Sequence, residues 1–123
     1  MKISTIGALL AGTLLSMAIN AECVYPKPPA AAPDGLTATR EEMLEAMRAV
    51  KDYNERVTAY LECLETETNE RIAAAGPDAT PEQIAQIKAI YTKRHDAAVQ
   101  ELQSHADRFN EQVKVFKARD KKS

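Results

Sequence analysis

The side chains of this chain with the strongest intrinsic reactivity or metal affinity are two cysteines, Cys23 and Cys63, and two histidines, His95 and His105. The cysteines form no CxxC pair, so the usual spacing of a dithiol oxidoreductase is missing. In an oxidising compartment they are expected to pair as a structural disulfide. Ten residues apart on one helix, His95 and His105 have Cα atoms about 15 Å from each other, too far to share a metal ion. Glu101 stands one turn before His105, but Thr92 and Leu102 occupy the positions a Glu-x-x-His di-iron pair would need. Each histidine is expected to hydrogen-bond a neighbour at the edge of a helical seam. Glu62, Glu65, Glu67 and Glu70 read as a solvated face, with no nucleophile or base placed among them. No Ser or Thr has a histidine in any recognisable catalytic context. No catalytic residue, metal ligand or cofactor is expected, and the chain is not expected to be an enzyme.

These residues need elements to position them, and the chain divides into four. Residues 1–21 carry Lys2, an uncharged apolar run from Ile6 to Ile19, and small residues at Ala18 and Ala21. This layout predicts a cleaved secretory signal. The run is shorter than the roughly 20 apolar residues of a membrane span. Cleavage is expected after Ala21, with Ala18 as the alternative site. A lipid-anchored Cys23 is disfavoured because Glu22 stands where a small residue is needed. The expected address is periplasmic or secreted, with no membrane span once the signal is gone. Removing residues 1–21 takes Lys2 from the 16 basic residues and none of the 18 acidic ones, so the net charge of −2 becomes −3. Such a chain is a poor partner for nucleic acid, which needs a concentrated basic surface.

Residues 22–38 form the second part, an extended arm. Pro26, Pro28, Pro29 and Pro33 exclude helix and favour polyproline II, and Asp34-Gly35 predicts a turn. The third part, residues 39–118, is a helical hairpin. Thr39 with Glu42 predicts a capping box opening a helix at about 40–75, which Gly76 and Pro77 stop. Thr80, Pro81 and Gln83 predict a second start and a helix at about 81–117. Residues 119–123 form a basic tail.

Both helices carry one apolar stripe at spacings of three and four. Met43, Met47, Val50, Val57, Leu61, Leu64 and Ile72 mark the first, with Asn54 interrupting it. Ile84, Ile87, Tyr91, Ala98, Leu102, Phe109, Val113 and Phe116 mark the second. A short link between long helices forces an antiparallel pair. Apolar residues meet along both stripes when paired numbers sum to about 155, so Leu64 is expected near Tyr91 and Met47 near Phe109. Helix 1 is rich in acidic and helix 2 in basic residues, which favours the same pairing. The fold class is therefore all-α: a long two-helix hairpin with a proline-rich arm stapled to helix 1 by a disulfide.

The arm has the right length for that staple. From the start of helix 1 to Cys63 is about 35 Å, and from Cys23 to Leu36 in polyproline II about 40 Å. The arm is expected to turn at Asp34-Gly35 and run back along helix 1 across Tyr53 and Tyr60. Closing a loop of about 40 residues stabilises by roughly 4 kcal/mol in the chain-entropy model, comparable with the stability of a small domain.

Cys23-Val24-Tyr25-Pro26, Pro33-Asp34-Gly35, Val50-Lys51-Asp52-Tyr53 and Tyr60-Leu61-Glu62-Cys63-Leu64 together resemble small exported bacterial proteins of unknown function. The resemblance spans most of the chain after residue 21 and implies export and a helical fold, but no activity. Helical-hairpin chaperones of the periplasm are an analogy of architecture alone. The expected function is that of an exported non-catalytic helical protein acting through protein contacts, as a scaffold, an oligomer or a chaperone-like binder. The alternative is a periplasmic metal- or ligand-binding module using His95, His105 and nearby carboxylates. A partner surface, for another protein or a second copy, is expected at Met43, Ile90 and Phe116.

Overall fold

The computed structural model describes residues 22–121; the expected signal segment and its cleavage site lie outside the described residues. Two helices follow the arm. Helix α1 spans Arg40–Ala75 and α2 spans Pro81–Asp120, packed against each other as a hairpin. There is no strand among the described residues.

Each helix begins where its local chemistry satisfies free backbone N–H groups. Thr39 Oγ1 accepts from the Glu42 N–H at 3.1 Å, and the Glu42 carboxylate accepts from the Thr39 N–H at 3.0 Å. Thr80 and Gln83 repeat this box at 3.2 and 2.9 Å, with Pro81 in the first turn, where its missing N–H is no loss. Helix α1 ends at Gly76, whose φ of 78° is open to glycine without strain. Helix α2 runs to Asp120, beyond the expected Lys117, because no breaker interrupts its basic end.

The core has two parts. Near the disulfide, Tyr53, Val57, Tyr60 and Leu64 of α1 and Ala98 of α2 are buried with Cys23, and Tyr91 and Leu102 pack against them. At the open end, Ala38, Met43 and Phe109 are buried, with Val50, Val113 and Phe116 alongside. The first part includes the neighbourhood expected for Leu64 and Tyr91. Met47 is 48% exposed, so the expected seat of Met47 against Phe109 is an open edge instead of core. Glu67 bridges the helices to Arg94 at 2.8 Å and accepts from Arg71 at 2.9 Å. No helix is long and apolar enough to cross a membrane among the described residues.

Candidate functional site

The arm and the groove under it hold most of the specific polar geometry of this protein. Cys23 and Cys63 are joined in a disulfide with Cα atoms 5.7 Å apart. The next residues wedge into the hairpin. Tyr25 sets its ring edge-on to Tyr60 with centroids 5.3 Å apart, and Pro26 is buried. The Tyr25 hydroxyl donates to the Glu101 carboxylate on α2. That bond, followed by partial burial, raises the Tyr25 phenol from its ordinary value near 10 to about 12. Arg56 donates to the Lys27 carbonyl at 2.7 Å while bridging to Asp52 at 2.9 Å. Tyr53 lies beneath, 1% exposed, and burial pushes its phenol upward as well.

The far end of the arm is held by backbone chemistry. Asp34 Oδ1 accepts from the Leu36 N–H, and the Asp34 carbonyl accepts from Thr37 and Ala38. This turn presses Gly35 onto α2. The Gly35 N–H donates to Gln112 Oε1 at 2.9 Å, and a Cβ on Gly35 would stand 2.3 Å from the Gln112 backbone oxygen. The glycine is needed for close approach rather than for an unusual φ. Arg119 then donates to the Leu36 and Ala38 carbonyls, both at 2.9 Å, with its guanidinium 4.6 Å above the Phe116 ring.

The arm was expected to lie along helix 1 alone. Instead it lies over the groove between the helices, because its hydrogen-bond partners come from both: Arg56 on α1, and Glu101, Gln112 and Arg119 on α2. Between its two anchors, Pro29–Pro33 roof a cavity of about 470 Å³. Ala46, Val50 and Phe109 are among its apolar lining, and His105, Arg108 and Glu45 among its polar lining.

The expected partner surface is dispersed. Ile90 is 48% exposed on α2. Phe116 is partly buried beside Arg119. Met43 corrects the expectation outright: at 6% exposure it is core, because the Asp34–Ala38 turn folds back and brings Ala38 against it. The histidines are apart, as helical spacing requires. His105 meets the Tyr53 ring edge at 5.6 Å, and His95 contacts the Asp96 carboxylate at 3.1 Å. Among the described residues no group of three or more His, Cys, Asp or Glu gathers as a metal site would.

A second surface lies outside the expected set of Met43, Ile90 and Phe116. On the side away from the arm, the seam is open along a groove of about 460 Å³ that no arm residue lines. Met47, Val50, Leu102, Ala106 and Phe109 line it, rimmed by Lys51 and Asn54. The signal was present in sequence, since a single arm covers only one of the two faces of a helix pair.

No family model, curated protein or solved structure matches this chain.

Proposed function

We propose that this is an exported, non-catalytic helical protein that acts through protein contacts, as a scaffold, small oligomer or chaperone-like binder. The observation that carries the reading is the contrast between the two faces of the hairpin. One is crossed by a covalently anchored arm; the other, which no arm residue covers, leaves Met47 exposed and Leu102 and Ala106 partly exposed along a groove. Contiguous apolar surface on a small protein marks an interaction site more often than scattered single residues do. The disulfide fits a compartment that keeps thiols oxidised. The polar groups around the arm are engaged in holding it, which supports a structural role for them over a catalytic one.

Photo-crosslinking from residue 103, in cells and under non-reducing conditions, tests this. Adducts to a defined protein, lost in Met47→Glu, are expected. Absence of any adduct from residue 103, with an intact fold, would reject the reading. The rival ligand-binding reading rests on the cavity under the arm, beside His105. It predicts saturable binding of a small molecule or metal that His105→Ala weakens, which isothermal titration detects.

A further inference from the structure

We propose that the open face of the hairpin is built to take a second copy of this chain, with the two α1 helices antiparallel and crossing at Thr58. The proposal rests on the protein-contact reading and gives that contact a partner, an axis and a register.

Three consecutive residues of α1 divide its surroundings. Arg56 donates to the arm at Lys27, Val57 is fully buried in the seam with α2, and Thr58 is exposed. At about 100° per residue, Thr58 therefore points away from the arm and out of the hairpin layer. It centres a stripe with spacings of three and four: Leu44, Met47, Lys51, Asn54, Thr58, Leu61, Glu65, Thr68 and Ile72. Leu44 and Met47 are among the exposed large apolar residues, at 36% and 48%.

Two pairs in this stripe mirror each other about its centre, one of opposite charge and one apolar. Lys51 and Glu65 lie equally far before and after Thr58, as do Leu44 and Ile72. A two-fold axis through Thr58, perpendicular to α1, places Lys51 of each copy over Glu65 of the other, about 10 Å either side of the axis. It places Leu44 over Ile72 about 21 Å out. Lys51 and Glu65, like most charged residues of α1, have no ion-pair partner among the described residues and are free to pair across the axis. The same axis runs the α2 helices antiparallel and completes a four-helix bundle over the open groove. Two helices about 54 Å long and about 10 Å wide offer about 1,000 Å² per copy, the size of a specific interface. Ile90 is not part of this face: it stands one turn before Arg94, which packs over Tyr60 on the arm side.

The test is a charge-reversal cycle on the purified oxidised protein, read by sedimentation equilibrium. The wild type is expected to dimerise at micromolar to tens-of-micromolar concentration. Lys51→Glu and Glu65→Lys should each weaken the dimer by about tenfold or more, since the symmetry applies each change twice. The double variant Lys51→Glu/Glu65→Lys should restore affinity to within about threefold of wild type. Both positions are exposed, so unchanged circular dichroism serves as the folding control. Thr58→Cys should cross-link to its own copy on mild oxidation, and the Lys51→Glu reversal should slow that cross-link, as the antiparallel register requires. A monomer at several hundred micromolar, a dimer indifferent to both reversals, or a Thr58→Cys variant that forms no cross-link overturns the proposal. A monomer whose residue 103 still cross-links a different protein leaves the broader reading intact while rejecting this one.

Discussion

The two anchors of the arm work by different physics. At one end a disulfide closes a 40-residue loop between Cys23 and Cys63. Its effect is largely on the unfolded chain, whose freedom it removes. At the other end nothing is covalent. Gly35 sits against the α2 backbone, Gln112 holds its N–H, and Arg119 holds the two carbonyls that follow. That anchor works only because the fold is already formed around it. A small helical layer can be completed by one global constraint and one local fit, each vulnerable to a different change.

Breaking the global constraint should have the largest effect. Cys23→Ser/Cys63→Ser is expected to lower stability by about 4 kcal/mol, measured by urea unfolding against the oxidised wild type. The local fit should come next. Gly35→Ala puts a methyl group into the Gln112 carbonyl, a backbone atom that cannot rotate aside. We expect a loss of about 1–3 kcal/mol with the disulfide intact, and faster hydrogen exchange confined to residues 34–38. If exchange instead rises evenly along the arm, the anchors are not independent.

Arg119→Met removes the guanidinium over the Phe116 ring and both donated hydrogen bonds, leaving the Ala38 carbonyl without that donor. A loss of about 1–2 kcal/mol is expected, in the same unfolding assay. The smallest effect belongs to Tyr25, whose ring is 44% exposed. Its hydroxyl must stay protonated to donate to Glu101, and the folded chain raises its ionisation from near 10 to about 12. A raised value means that the folded chain favours the neutral phenol. The contribution is therefore complete below about pH 10 and disappears as pH climbs through about 12. The difference in melting temperature between wild type and Tyr25→Phe should be constant up to that window and shrink across it.

Much of the framework was legible because it depends on neighbours in sequence. Thr39 with Glu42 and Thr80 with Gln83 are four-residue devices whose partners are set by helical geometry. Gly76 stops α1 for an equally local reason. The Cys23–Cys63 pairing followed from two cysteines and the reach of a proline-rich chain. The candidate surfaces were less legible. Met43 carries the same spacing and chemistry as an exposed stripe residue, and only the return of Ala38 buries it. Glu101, Gln112 and Arg119 look like ordinary residues of a solvated helix until the arm crosses over them.

Two long helices, their starting points, their return on each other and the cysteine the arm must reach all follow from the order of residues. Those outcomes rest on propensities, caps and chain lengths, all of which act along the backbone. Which face of the helix pair the arm covers, which glycine must touch a helix, and which side of the seam stays open were set by long-range packing. These depend on contacts across 76 to 83 residues of sequence, as in Tyr25 with Glu101 and Leu36 with Arg119. A periodic stripe specifies that a helix has an apolar side, but what comes to lie against that side is settled by the packing of the whole chain.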